Sequence, residues 1–138
     1  MVTIVAVLAL PVAIALTGCG GDGDAGADES ISVELEEEDG SGQSGTATLT
    51  PAGDGRTRVV VTLSNPPSVP QPSHVHPGRC GDLGDPVAGL ESVEGGEAET
   101  VIDMSLDELR AGNLVVHAHK SDDEYDVSVA CGAIPTAD

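Results

Sequence analysis

The chain has 138 residues with 24 Asp or Glu against five Lys or Arg, a formal charge of −19. Phosphate contacts need Lys and Arg, so this balance excludes nucleic acid as a ligand and excludes an electrostatic grip on anionic lipid. With no Trp, no Phe and one Tyr, any core must be built from Val, Leu, Ile and Ala. A large aliphatic side chain brings about 1.5–3 kcal/mol when fully buried, but the larger payload of aromatic rings is missing. The acidic excess favours solubility and resembles proteins from salt-rich habitats.

Val2 to Leu16 is an apolar run without charge, broken only by Thr3 and Pro11. It is shorter than the roughly 20 residues of a spanning helix, and small residues precede its end, as in an export signal. Its close, Leu16-Thr17-Gly18-Cys19, resembles a bacterial lipoprotein signal that is cut before the Cys, whose sulfur then carries lipid. No Lys or Arg precedes Arg56, so the usual positive n-region is missing, and either the true start lies upstream or Met1 is internal. The alternative is an ordinary cleaved secretory signal. Both place the mature protein outside the cytoplasm, with residues 1–18 as signal peptide and Cys19 as the lipidation site. Residues 19–29 are Gly, Asp and Ala for the most part, too polar to fold, and are expected to form a flexible acidic tether. Residues 30–138 are enough for one domain.

That domain reads as short strands. Ile31, Val33 and Leu35 alternate with polar residues, Thr46 to Thr50 repeats the pattern, and Asp54-Gly55 turns the chain into Arg58 to Leu63. The acidic run Glu36-Glu37-Glu38-Asp39 reads as a solvated strand end. Pro66 to Pro72 is expected as a loop or edge connection, since Pro cannot donate to a ladder. His74 to His76 is a short strand, ended by a Pro77-Gly78 turn. Leu90 to Val93 and Ala98 to Ile102 make a hairpin around Glu94-Gly95-Gly96. Ser105-Leu106-Asp107-Glu108 has the form of a capping box, so Leu106 to Ala111 is one helical turn, stopped at Gly112. Leu114 to His119 and Val127 to Ala130 are the last strands. Seven or eight strands separated by turn signals predict an all-β sandwich or barrel.

All four histidines lie in two His-x-His motifs, His74-Val75-His76 and His117-Ala118-His119. Residues i and i+2 of a strand share a face, so each motif presents two imidazoles side by side. On neighbouring strands, opposed residues approach to about 4.5–5.5 Å at Cβ, close enough for several nitrogens to reach one ion. Imidazole suits copper, zinc, iron and nickel. The alternative is polar residues on an outward strand face, and for His119 exposure is the expectation. With Cys19 lipidated, Cys80 and Cys131 remain as an even pair in an oxidising compartment. Bridging them closes a loop worth about 4 kcal/mol at most; the alternative is two free thiols.

From Gly45 to Ile134 the sequence resembles the copper/zinc superoxide dismutase superfamily. That family has a strand carrying His-Val-His with two copper ligands, a later Val-Val-His with another, and an Ala-Cys-Gly that supplies half of the intrasubunit disulfide. The resemblance carries these onto His74 and His76, onto His117 and onto Cys131, with Cys80 as partner, and implies a Greek-key β-sandwich or barrel. Short bacterial relatives with a chordin-like (CHRD) domain share His-x-His-x-Gly-x-Cys, Ser-Leu-x-x-Leu-x-x-Gly, Val-His and Ala-Cys-Gly. The chain is similar to that compact form. Between His76 and His117 there is no histidine, so the family's bridging His and zinc ligands are missing and the zinc site is expected to be absent. Where the family has its superoxide-guiding Arg stands Ser128; Arg79 and Lys120 flank the histidines.

The expected function is a lipid-anchored, exported copper protein with His74, His76 and His117 as ligands and His119 as a candidate fourth or else an exposed strand residue. Its partners would be superoxide or the copper ion, with the membrane reached only through the lipid. Weak copper-only dismutase activity, copper capture or delivery without turnover, and a metal-free structural or adhesive sandwich are the three readings. No catalytic residue is assigned.

Overall fold

The structure, a computed structural model, describes residues 29–137. The expected signal peptide, Cys19 and nearly all of the tether lie outside the described residues. The fold is all-β, with strands β1 (Ile31–Glu37), β2 (Gly45–Gly53), β3 (Arg56–Leu63), β4 (Gln71–Arg79), β5 (Asp82–Leu83), β6 (Ala88–Val93), β7 (Glu97–Ile102), β8 (Leu114–His119) and β9 (Ser128–Ala133). One helical turn, α1 (Leu106–Leu109), precedes β8.

Antiparallel pairing runs in the order β5-β4-β8-β9-β1-β2-β3-β7, with β6 also on β4. Because β6 and β7 are consecutive, their hairpin draws the two ends of the sheet together and curls it into a barrel of Greek-key type. The seam there is light: Glu94 and Glu97 form an isolated bridge, and the Glu91 amide donates to Thr100 Oγ1 at 2.8 Å. Two-residue turns set the hairpins. Asp54 and Gly55 both have positive φ, 55° and 71°, as do Gly95 and Gly96, 60° and 87°, the backbone that matches the twist of paired strands.

The inward face is aliphatic, as the composition requires. Val33, Leu35, Ala47, Leu49, Val59, Val61, Val75, Val116 and Ala118 all lie in one buried cluster. Period-two alternation puts every second residue of β1 to β3 there. Leu106 and Leu109 of α1 close one end, each buried, and the expected capping box is formed: Ser105 Oγ accepts from the Glu108 amide while Glu108 accepts from the Ser105 amide.

The elements differ from expectation in several places. Nine strands form, the extra one being the two-residue β5. β4 is longer than its histidine core and takes in Pro72, Pro77 and Gly78. Pro72 is tolerated because the β4–β6 ladder shifts register between Gln71 and Ser73, so no ladder bond is asked of it. The helix ends at Leu109 and not Ala111, and Asn113, at φ 43°, takes the left-handed position expected of Gly112. β9 starts one residue later and runs through Cys131 and Gly132. A Cβ on Gly132 would collide with the Glu34 carbonyl oxygen of β1, which explains the glycine after that cysteine.

Candidate metal centre

β4 and β8 are hydrogen-bonded neighbours, with His74 opposite His117. Their alternate residues Val75, Val116 and Ala118 point into the core. The four imidazoles therefore share the outer face of the sheet, where loops cover them. Gly84 follows β5, Glu38 follows β1, Tyr125 comes from the connection between β8 and β9, and Ser128 opens β9. His76, His117 and His119 are buried and His74 is partly buried. The exposure expected of His119 is not found: its ring lies beneath that of Tyr125, centroids 4.1 Å apart and planes 15° from parallel.

One ligand atom from each of His74, His76 and His119 lies within 4.8 Å of the other two. His117 stands beside this group, its ring centroid 4.5 Å from that of His119 and 5.3 Å from that of His76. A second cluster, Glu38 with Cys80 and Cys131, is committed elsewhere, because the two sulfurs are bonded to each other.

His74, His76 and His117 each have one nitrogen engaged by the protein, and each of the four imidazoles has one buried nitrogen without a partner. His76 Nδ1 donates to the Gly84 carbonyl at 2.9 Å; a carbonyl only accepts, so the proton is on Nδ1 and Nε2 keeps its lone pair. His117 Nε2 lies 2.7 Å from Ser128 Oγ. His74 Nε2 is 3.3 Å from the Tyr125 hydroxyl, and His119 is stacked against the Tyr125 ring. The remaining nitrogens, His74 Nδ1, His76 Nε2, His117 Nδ1 and His119 Nε2, are buried without any hydrogen-bond partner. Among the described residues they are the whole set of such side-chain atoms. Leaving a buried polar atom unmade costs about 1–3 kcal/mol, so four on one face require a purpose.

The electrostatics agree. Burial, then the neighbouring His119, His76 and His74, push the His117 pKa down from 6.5 to about 4. His74 is lowered by burial first, with His119 and His76 adding to it. Burial also lowers His119, against the opposing hydrogen bond of Tyr125. Neutral imidazole is the form that binds metal. His117 being neutral, the 3.7 Å approach of Glu38 Oε2 to its Nε2 is not an ion pair at neutral pH.

The expected disulfide is present: Cys80 and Cys131 are bonded with Cα atoms 5.8 Å apart. Cys131 is the β9 partner of His117 and Cys80 follows β4 directly, so the bridge passes over the end of the histidine pair. These strands and their crosslink complete an architecture that can be matched to solved structures. The fold is that of superoxide dismutase. The chain is similar to a mutant of superoxide dismutase 5 from Candida albicans, with 23% identity, 79% of this chain and 92% of that chain covered, and a TM-score of 0.57. No family model matches the chain, and no curated protein does.

Sequence reasoning missed the surroundings of the histidines. Gly84, Tyr125 and Glu38 carry no motif, and Glu38 sits in the acidic run read as a solvated strand end. In the sequence Ser128 stands out only as the place of an absent Arg. The one available signal was Tyr125, the sole aromatic in a chain without Phe or Trp.

Proposed function

We propose that this chain is an exported, lipid-anchored copper protein that uses superoxide weakly or carries the ion. The observation that supports it is the set of four buried, unpartnered histidine nitrogens on one sheet face. Three or four imidazoles suit Cu(II) in tetragonal geometry. Bound copper would supply an electron acceptor and donor by alternating between Cu(II) and Cu(I), which is what dismutation of superoxide needs. The chain's own residues bind and orient. Gly84 fixes the tautomer of His76, and Tyr125 covers His74 and His119. With no histidine between His76 and His117, no second metal is proposed and the zinc site is taken as absent.

Copper capture or delivery is the second reading, and the cations favour it. Ser128 stands where the resemblance has a guiding Arg. Lys120, a flanking cation, is held by Glu124, Nζ to Oε2 2.8 Å, and Arg79 lies exposed at the strand end. A molecule with a charge of −19 repels an anion wherever no local positive field opposes it.

Export rests on Leu16-Thr17-Gly18-Cys19 and on the disulfide, and the membrane is reached through lipid on Cys19. The test is metal analysis of the full chain purified in detergent, followed by a superoxide assay. One equivalent of copper, lost in a variant without His74 and His76, is expected. Absence of copper uptake would leave the metal-free sandwich as the reading. Turnover near the diffusional ceiling of roughly 10⁸–10⁹ M⁻¹s⁻¹ would rule out the carrier.

A further inference from the structure

Ser128 reaches the histidine face because of an irregularity in the sheet. Along β9, Cys131 pairs with His117 and Ala130 with Ala118, but Ser128, and not Val129, pairs with His119. Strict alternation would turn a residue three positions from Cys131 to the opposite, inward face. The extra residue, Val129, is absorbed into the core beside Ala130, and the bulge re-aims Ser128 outward. Two bonds pin that bulge: the Val129 carbonyl accepts from the Glu38 amide at 2.9 Å and from Ser41 Oγ at 2.6 Å.

The hydroxyl so aimed lies 2.7 Å from His117 Nε2, while His117 Nδ1 is buried and unpartnered. An Nε2–H given to Ser128 leaves the Nδ1 lone pair bare, the arrangement by which outer hydrogen bonds fix metal-binding histidines.

We propose that Ser128 is a positioning residue that holds His117 so that Nδ1 is delivered as a fourth imidazole nitrogen beside the His74, His76 and His119 group. This rests on the copper reading above. Four imidazoles leave less open coordination for a substrate than three, which moves the site toward holding copper.

The experiment compares full-length wild type, Ser128→Ala, Ser128→Thr and His117→Ala, all with circular dichroism to establish folding. In the metal-free protein, histidine ring ¹⁵N shifts should place the His117 proton on Nε2 in wild type and Ser128→Thr. That preference should be lost in Ser128→Ala. With Cu(II) added, pulsed EPR should count four imidazole nitrogens in wild type and three in His117→Ala. Chelator competition should show Ser128→Ala weakened by about 10-fold or more, within the range for lost outer partners, and Ser128→Thr restored. A His117 proton on Nδ1 in wild type, three nitrogens in wild type, or an unchanged affinity in Ser128→Ala overturns the proposal while leaving copper binding intact. No copper uptake by wild type overturns both, and separates the two failures.

Discussion

The Tyr125 ring lies flat on that of His119, 4.1 Å away, and its hydroxyl reaches His74 Nε2 at 3.3 Å. One side chain from a surface connection thus touches both histidine strands. It is also the chain's one fluorophore of consequence, since Trp and Phe are absent. Cu(II) is therefore expected to quench tyrosine emission at one equivalent. Tyr125→Ala should weaken binding by roughly 0.5–1.5 kcal/mol, the worth of a stacked aromatic pair, and Tyr125→Phe by less. A titration in which emission is unchanged while copper is taken up would contradict this placement.

His119→Ala should cost more copper affinity than the roughly 10–100-fold of losing an outer partner, because His119 shares a 4.8 Å group with His74 and His76. His117→Ala is expected to cost less than His119→Ala, the reverse of the ranking implied by the Val-Val-His resemblance. Competition against a chelator of known affinity orders the two.

Acid should weaken the metal-free fold through His117. Its pKa falls from 6.5 in an unfolded chain to about 4 in the native one, so between those values the unfolded state binds a proton that the native state refuses. Stability is complete above 6.5 and declines as pH falls toward 4, by up to roughly 3 kcal/mol for the whole shift. The His117→Gln variant cannot take that proton and should show a shallower loss between pH 7 and 4.5. Urea midpoints of the two proteins at both pH values provide the check, the carboxylates being common to both.

Replacing Cys80 and Cys131 together by Ala should destabilise the domain by about 4 kcal/mol at most, from the entropy returned to the unfolded chain. The crosslink closes a separation of 51 residues. Leu49→Ala, at a position with no exposure, should cost about 2–5 kcal/mol. Urea unfolding measures both, and mass spectrometry of exported protein should find no free thiol at either cysteine.

The strands and the histidine pairs were legible in the sequence because both are matters of local period. Val33 and Leu35, or Val59 and Val61, state their face by alternation alone, and His-x-His states a shared face in the same way. Irregular backbone was not legible. The bulge that turns Ser128 outward comes from pairing between β8 and β9 and not from any local residue preference. Pro72 and Pro77 signalled loops, yet a register shift admits the first into β4, and the second lies where that strand ends its pairing with β8. The loop residues over the histidines were invisible for a related reason: Gly84 acts through its carbonyl, which every residue possesses. His119 was expected outside because a strand pattern says nothing of what a distant connection lays across it.

The pleat of β4 and β8 divides two kinds of mutational risk. Val75, Val116 and Ala118 belong to the interior, and His74, His76, His117 and His119 to the opposite face. Drift in one set need not be answered in the other. Exchanging an imidazole on the outer face is therefore expected to leave the aliphatic packing of the interior in place.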